Sequence, residues 1–294
     1  MKLSDYLNSD KTSLSFEVFP PKTDANFETV KTATEEIAAL KPGFVSVTYG
    51  AGGGTSEYTL AIAKNISERY GIPALAHLTC VSSDRETVKK RIDELKEAGI
   101  DNIMALRGDI PKELINCDRS SWDYRFAVEL IEDIKNFYPE CCIGGACYPE
   151  IHPESDNQKD DIKHLKEKVD AGCDFLTTQM FFDNNLFYNF LYKIREKGIA
   201  VPVLPGIMPI TNGKQVERAI NLSGSFMPQR FKSLVDRFGS DPDAMMQAGI
   251  IYATDQIIDL FSNGINHVHI YTMNKPEVAS AILKNLSAIL GKVQ

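Results

Sequence analysis

Residues 74–106, ALAHLTCVSSDRETVKKRIDELKEAGIDNIMAL, contain a strand pattern, a helix pattern and a second strand pattern in direct succession. The runs 74–80 and 102–106 are short and mostly apolar, which is typical of strands that are covered on both faces. Residues 83–98 between them carry apolar side chains at helical spacing. The stretch therefore predicts one βαβ unit, whose two strands are parallel.

The helix of this unit has a predicted beginning. Ser83 and Glu86 have the spacing of a capping box, in which two side chains satisfy backbone N–H groups of the first turn. Val88, Ile92 and Leu95 then form one apolar face. We therefore expect a capped helix that packs on the sheet.

The same alternation continues along the whole chain, which makes this an α/β protein. The predicted strands are residues 14–19, 44–49, 74–80, 102–106, 142–148, 175–182, 201–207 and 267–271. Eight strands favour a (β/α)8 TIM barrel over an open sheet, which has about five or six. The long segment 211–266 predicts extra helices between strands seven and eight. We predict a single domain over residues 1–294.

Composition excludes several classes of protein. A net charge of −8 without a basic run argues against nucleic-acid binding, which depends on clustered lysine and arginine. The chain has no apolar leader and no membrane-spanning run, so we expect a cytoplasmic protein without a membrane partner. The six cysteines show no metal-binding spacing and are expected to be small buried apolar residues. We expect no metal site.

The strand ends should carry the chemistry, because the active site of such a barrel lies at the carboxyl ends of its strands. Glu17 follows Phe16 in the first strand, and Phe19 and two prolines come after it. Apolar surroundings raise the pKa of a carboxyl group toward neutrality, which suits a general acid. The alternative for Glu17 is a solvent-facing strand residue.

Further polar residues follow the fourth and fifth strands. Arg107 and Asp109 flank Gly108, which allows close backbone approach to a ligand, although a surface turn with a local ion pair is the alternative. The loop at 148–153 is rich in polar and aromatic groups, and residues 161, 164 and 168 share one helical face. Lone histidines such as those at 164, 267 and 269 are often simply packed or solvated.

A glycine-rich run, residues 50–54, follows the second strand. It resembles a phosphate-binding loop but lacks the Lys-Ser/Thr pair of a P-loop and the full G-x-G-x-x-G pattern. Backbone flexibility near a ligand is the interpretation we favour for this run.

Seven motifs occur together in one order and cover essentially the whole chain. They are residues 15–21, 44–50, 76–80, 105–109, 148–154, 166–172 and 178–183. This set resembles the motifs of bacterial methylenetetrahydrofolate reductases. The resemblance implies a barrel that holds non-covalent FAD, takes a hydride from NADH or NADPH and passes it to 5,10-methylenetetrahydrofolate in ping-pong order. The product, 5-methyltetrahydrofolate, would supply methyl groups for methionine synthesis, and the enzyme would be a homo-oligomer.

The resemblance also implies roles for individual residues. Glu17 would be the general acid, Asp109 would lie near the flavin N1 edge and the pterin, Gln179 would hold the pterin, and Lys275 would meet the glutamyl tail of folate. Positions that would surround FAD, in addition to Asp109, are Thr48, Tyr49, Ala51, His77, Arg107, Gly108, Ala127, Tyr148, His152, Asp161, His164 and Lys168. Arg107 and Lys168 suit the pyrophosphate or ring oxygens.

The chain departs from the family pattern at several positions. Gly213 stands where well-studied bacterial members carry an aromatic residue, His164 where they carry Asn, Glu167 where they carry Arg, and Lys275 where they carry Arg. The chain ends soon after the barrel, so we expect no regulatory domain and no control by S-adenosylmethionine.

Three other functions compete with this interpretation. A Schiff-base lyase would need a buried lysine at a strand end, and none of the predicted strands offers one. A proline dehydrogenase would reduce its flavin with proline and not with NADH. A folate- or flavin-storing protein would have no need of a carboxylic acid at Glu17. The sequence does not determine whether NADH or NADPH is the hydride donor. It contains no Rossmann motif, in which an acidic residue or an arginine would indicate the group at the 2′-position of the ribose.

Overall fold

Parallel strands form one continuous sheet in the computed structural model, which describes residues 1–21, 23–49, 56–111, 114, 117–118, 120 and 122–291. The strands are β1 (Ser13–Val18), β2 (Val45–Val47), β3 (Ala74–Thr79), β4 (Asn102–Leu106), β5 (Cys142–Cys147), β6 (Phe175–Thr178), β7 (Val203–Leu204), β8 (Gly206–Ile207) and β9 (His267–Tyr271). Their spatial order is β7-β6-β5-β4-β3-β2-β1-β9-β8, so each strand from β1 to β6 lies beside its sequence neighbours.

The sheet closes into a barrel at the short segments β7 and β8. Leu204 of β7 pairs with β6, and Gly206 of β8 pairs with His269 of β9. Pro205 separates the two segments because proline has no N–H for the ladder, while its carbonyl accepts a hydrogen bond from the His269 N–H at 2.9 Å. The two segments together occupy one strand position, so the predicted (β/α)8 barrel is confirmed and the predicted strand 201–207 is split.

Helices cover the outside of the barrel, its amino end and part of its carboxyl end. They are α1 (Leu3–Leu7), α2 (Phe27–Ala39), α3 (Ser56–Tyr70), α4 (Arg85–Glu97), α5 (Ala127–Phe137), α6 (Gln158–Asp170), α7 (Asn184–Glu196), α8 (Lys214–Ser223), α9 (Gln229–Phe238), α10 (Pro242–Ser262) and α11 (Pro276–Asn285). As predicted for 211–266, helices α8, α9 and α10 lie between β8 and β9. None of the helices in the described part of the chain is both long and apolar enough to cross a membrane.

The beginning of α4 differs from the prediction. Asp84 is the N-cap, and its carboxylate accepts a hydrogen bond from the Thr87 N–H at 2.7 Å. The Ser83 N–H instead donates to the Cys80 carbonyl at 3.1 Å, which places Ser83 in the turn that leaves β3. The predicted Ser83–Glu86 capping box is therefore wrong, because the strand-to-helix turn needs one more residue before the helix begins.

Alternate residues of each strand face opposite sides of the barrel wall. In β1, Leu14, Phe16 and Val18 belong to the large cluster that the strands form with the surrounding helices. The intervening Ser15 and Glu17 therefore face the barrel interior. This alternation explains how one strand serves an apolar core and a polar site together.

The amino end of the barrel interior is mostly apolar and is closed by α1, a helix that the sequence analysis did not predict. Leu3 and Leu7 of α1 pack with inward residues of the strands: Leu75, Met104, Cys142, Phe175 and Leu204. The Leu3 N–H donates to the Asn102 side chain at 2.8 Å, which fixes α1 against β4. The opposite, carboxyl end is the one left open for a ligand.

Helix α10 packs unusually closely on the segment that follows β8. A Cβ atom at Gly249 would lie only 1.8 Å from the Ile210 carbonyl oxygen, which is a backbone atom and cannot rotate away. Gly249 is therefore required by this contact rather than by its own backbone conformation.

We expect Gly249→Ala to lower the free energy of unfolding by about 1–3 kcal/mol or more through overpacking. Helix propensity alone would raise it by about 1 kcal/mol, so the sign of the change is informative. Urea unfolding measures the difference. Gln247→Ala, at an exposed position of the same helix, is the control and should change it by less than about 0.5 kcal/mol. A Gly249→Ala variant as stable as the original chain would contradict the packing.

Candidate active site

A cavity of about 1510 Å³ opens at the carboxyl ends of the strands. Most of the predicted site residues line it: Glu17, Thr48, Tyr49, His77, Arg107, Gly108, Asp109, Ala127, Tyr148, His152, Asp161, His164, Lys168 and Gln179. Small-molecule sites usually enclose about 300–1,000 Å³. This cavity therefore has room for two ligand molecules side by side.

Two predicted site residues are not among those that line the cavity. Ala51 lies outside the described residues, as does the glycine-rich run 50–54. Lys275 is the N-cap residue of α11, beyond the end of β9, and its Nζ donates to the Thr211 Oγ1 at 2.8 Å. Its predicted contact with the glutamyl tail of folate stays a prediction.

Glu17 projects from β1 into the base of the cavity. Its strand neighbours in register are Ser46 of β2 and Tyr271 of β9. Its Oε2 lies 3.7 Å from the His77 Nε2 and 4.0 Å from the His269 Nε2, and 22% of its side chain is exposed. Inward-facing side chains of β2, β3 and β9 thus surround the Glu17 carboxyl group.

The protonation states in this cluster follow from burial. Burial raises the pKa of Glu17 to about 8, and a hydrogen bond with Ser46 opposes part of that rise. Burial lowers the pKa of His77 to about 4 and, together with the neighbouring His77, that of His269 to about 3. Near neutral pH the carboxyl is therefore mainly protonated and both imidazoles are neutral. The contacts of Glu17 with His77 and His269 are therefore contacts between neutral groups and not ion pairs. A protonated Glu17 can donate its proton into the cavity.

Arg107 lies on another wall of the cavity and has a distant partner. Its guanidinium donates to both carboxylate oxygens of Glu154, at 2.6 and 2.7 Å, in the bidentate geometry typical of arginine. The predicted alternative was a local pair within the 107–109 turn, whereas this pair reaches across to the loop after β5. Gly108 between the two charged residues has φ +88°, and a Cβ there would meet Thr79 at 3.0 Å. Only glycine fits at that strand end.

Lys168 reaches the cavity from α6 and not from a strand. Its buried amine donates to the Ala146 carbonyl near the end of β5, and burial lowers the pKa of Lys168. The sequence argument against a Schiff-base lyase considered only lysines at the ends of predicted strands. It overlooked Lys168, which brings a buried amine to the cavity from a helix. Asp161 lies two turns before Lys168 in α6. Its carboxylate accepts a hydrogen bond from the His152 N–H at 3.1 Å and orders the loop after β5.

The α8–α9 segment forms one side of the cavity. Gln215 of α8 lines it. The Ser225 hydroxyl donates to the Met180 carbonyl at 2.9 Å, and the Phe226 N–H donates to the Glu150 Oε2 at 2.8 Å. These two bonds attach the extra helices to the ends of β5 and β6.

Sequence reasoning missed several residues of the site. Ser46, Phe126, Gln215 and His269 were not predicted as site residues, although Phe126, Gln215 and His269 line the cavity and Ser46 lies beside Glu17. One signal was available for His269. In β9 the residues His267, His269 and Tyr271 alternate with apolar ones, which places polar groups on the inward face.

Comparison with known proteins gives a consistent result. A sequence profile described as methylenetetrahydrofolate reductase matches residues 2–287. The 5,10-methylenetetrahydrofolate reductase of Pectobacterium carotovorum subsp. carotovorum is 36% identical over 276 residues, which are 94% of this chain and 90% of that protein. The protein of the same description from Escherichia coli is 34% identical over 274 residues, or 93% and 90% of the two chains.

A plant relative is about twice as long as the part that matches this chain, and a more distant solved structure has the same fold. The methylenetetrahydrofolate reductase (NADH) 1 of Zea mays is 33% identical over 298 residues, and the match covers 98% of this chain but 50% of the plant protein. A Clostridium thermocellum protein described as binding two copies of 5-methyl-5,6,7,8-tetrahydrofolic acid aligns with a TM-score of 0.71 at 14% identity, covering 98% of both chains. At that identity the likeness shows the barrel fold alone.

The raised pKa of Glu17 predicts a specific dependence of stability on pH. The pKa of Glu17 is about 8 in the folded chain and 4.5 in the unfolded chain. The protonated carboxyl contributes fully to the stability of the fold below pH 4.5, and this contribution is lost as the pH rises toward about 8. Glu17→Gln cannot ionise. The difference in free energy of unfolding between this variant and the original chain should therefore grow in favour of the variant from pH 5 to pH 8. It should grow by roughly 1.4 kcal/mol for each pH unit, which amounts to a few kcal/mol over this range.

Urea unfolding at several pH values tests this expectation. Glu28→Gln, which changes an exposed carboxylate of α2, is the matched control and should follow the original chain at every pH. Parallel curves for Glu17→Gln and the original chain would mean that Glu17 is not held protonated by burial.

Proposed function

The chain belongs to the methylenetetrahydrofolate reductase family, and on that premise we propose that it reduces 5,10-methylenetetrahydrofolate to 5-methyltetrahydrofolate. We propose FAD as its bound cofactor and NADH or NADPH as the hydride donor. The observation that carries the proposal is the protonated Glu17 at the base of a cavity large enough for two ligands. A storage protein would have no use for such an acid.

The residues of the cavity fit a flavin nucleotide. Arg107 and Lys168 offer positive groups to a pyrophosphate, and Gly108 allows a flat ring to approach the backbone. The His77 Nε2 is buried and has no hydrogen-bond partner among the described residues, so it suits a polar ring edge. When bound there, FAD would accept a hydride from the nicotinamide and return one to the folate carbon.

Glu17 would supply the proton that the folate chemistry needs. Opening the five-membered ring of the substrate breaks a carbon–nitrogen bond, and the departing amine nitrogen takes the Glu17 proton. The resulting iminium carbon then accepts hydride. Glu17 becomes a carboxylate and regains a proton from solvent after the product leaves, which balances the proton consumed with each NAD(P)H. We assign pterin binding to Asp109 and Gln179, and the glutamyl tail to Lys275.

The shape of the site supports ping-pong order. One cavity serves both reactions, so the oxidised nicotinamide would leave before folate binds beside the same cofactor face. We further propose that the enzyme acts in the cytoplasm as a homo-oligomer and supplies methyl groups for methionine synthesis.

Visible absorption tests the proposal directly. The purified chain, alone or after addition of FAD, should show a flavin band near ~450 nm that bleaches with NADH or NADPH without oxygen and returns with 5,10-methylenetetrahydrofolate. A chain that neither contains nor takes up FAD would overturn the proposal. Bleaching by proline but not by the nicotinamides would indicate the proline dehydrogenase alternative instead.

Glu17→Gln separates the two half-reactions. The variant should bind FAD and be bleached by NADH at the original rate, because hydride transfer from nicotinamide requires no acid at this position. Return of the band with folate should slow by about 10²–10⁴-fold, the usual contribution of a general acid. Glu28→Gln is again the control. Equal loss of both half-reactions would show that Glu17 only maintains the structure of the site.

A further inference from the structure

Three neighbouring strand positions of the barrel each end in a methionine that lines the cavity. Met180 follows β6 by two residues, Met208 comes directly after β8, and Met273 follows β9 by two residues. Since β7 pairs with β6 and β8 pairs with β9, the three side chains share one side of the cavity mouth. We call these three residues the methionine surface.

The charged groups of the cavity lie on a different side. Arg107 follows β4, and the Lys168 amine reaches the end of β5. Glu17, by contrast, adjoins the methionine surface, because its register partner on β9 is Tyr271, two residues before Met273. An uncharged ring that binds near the acid therefore meets methionine side chains and not the cationic groups.

We propose that the methionine surface is the apolar wall on which the flat rings of the two substrates, a nicotinamide and a pterin, bind in turn. This inference rests on the proposed function for the identity of the two rings. Methionine suits a site with two different occupants, because its unbranched, polarisable side chain adapts to the shape of whatever contacts it. A rigid side chain would fit one of the two rings better than the other.

The backbone of Met273 supports a functional role for its side chain. Its φ is +54°, in the left-handed region that residues other than glycine seldom adopt. Asn274, which follows, has the same φ, but asparagine tolerates this region better. Such a conformation persists only where the surrounding structure imposes it, and it is found mostly at functional sites.

Hydrogen bonds to β1 impose this conformation. The Asn274 side chain accepts from the Phe19 N–H and donates to the Phe19 carbonyl, both at 2.9 Å, as a further strand residue would. The Thr272 hydroxyl donates to the Glu17 backbone carbonyl at 2.6 Å. Both neighbours of Met273 are thus attached to the strand that carries the acid, which fixes the place of the Met273 side chain relative to Glu17.

Packing explains part of the methionine surface but not Met273. Met180 is buried in the cluster that α8, α9 and α10 form with the barrel, and Met208 packs against that cluster. Met273 belongs to none of the apolar clusters formed by the described residues, and 36% of it is exposed. A large apolar side chain that is held in a strained backbone and left uncovered in a cavity is suited to contact a ligand.

Met273→Gly separates ligand contact from folding. Glycine adopts a positive φ freely, so the variant loses the side chain and the strain together. In flavin-loaded protein, the Kd values for folic acid and for the oxidised nicotinamide nucleotide, NAD⁺ or NADP⁺, should each rise about tenfold or more, as expected from losing one apolar contact. Neither ligand exchanges a hydride with oxidised flavin, so the flavin absorption reports binding alone. The urea midpoint should not fall.

The chain contains a matched control for this substitution. Lys41 also has φ +54° and is exposed in the loop before β2, at the opposite end of the barrel. Lys41→Gly removes the same kind of strain without touching the cavity. It should change the urea midpoint in the same direction as Met273→Gly and leave both Kd values unchanged.

Methyl NMR locates the contact directly. In protein labelled with ¹³C at the methionine methyl groups, and with signals assigned by single Met→Leu substitutions, the Met208 and Met273 signals should shift with either ligand. Met246 of α10, which is half-buried and is not among the residues that line the cavity, is the control and should not respond.

The outcomes distinguish this inference from the proposed function. Binding of both ligands with unmoved Met208 and Met273 signals, or a Met273→Gly variant with unchanged affinity for either ligand, would overturn the shared methionine surface and leave the proposed reaction intact. Shifted signals in a chain whose flavin exchanges no hydride with NADH, NADPH or 5,10-methylenetetrahydrofolate would overturn the proposed function and keep the surface. A chain that binds neither ligand would overturn both.

Discussion

Closure of the parallel ladder is the constraint on which the rest of the molecule depends. Gly206 of β8 pairs with His269 of β9, and Leu204 of β7 pairs with β6, so β7 and β8 together fill the last strand position of the barrel. Alternate side chains of the strands must then point into one shared interior. That interior divides along its axis. Its amino end holds an apolar layer sealed by α1, and its carboxyl end holds the polar cluster around Glu17. The apolar layer excludes water from the amino end of the barrel, so the Glu17 carboxyl contacts solvent only through the cavity at the carboxyl end.

Burial of Glu17 makes the site reactive and weakens the fold at the same time. The same loss of hydration that keeps the carboxyl protonated near neutral pH removes free energy of unfolding as the pH rises. Neutral imidazoles at 77 and 269 surround the acid without offering a full positive charge, which would have driven it to ionise. The large helix-covered core outside the strands compensates for this local cost.

The cavity walls come from segments added to the barrel. The Glu150–Phe226 and Ser225–Met180 bonds attach the α8–α9 segment over the ends of β5 and β6. The same region contains the departure at Gly213, where a Cβ would lie 2.6 Å from the Gly239 carbonyl oxygen. An aromatic side chain therefore has no space there, because the beginning of α8 packs directly against the end of α9. Recognition on this wall must come from other side chains, such as Gln215.

The sequence by itself determined the barrel, its extra helices and the identity of Glu17 as a buried acid, because strand alternation, helical spacing and apolar flanks are local properties of the chain. The short helix α1 has too few residues to show a periodic pattern. Only the tertiary structure decided the partners that lie far apart in sequence. Arg107 meets Glu154, the Lys168 amine reaches β5 from a helix, and the Ser46 hydroxyl meets an imidazole 223 residues away. Such contacts depend on the angle and register with which the strands close, and no local pattern encodes those.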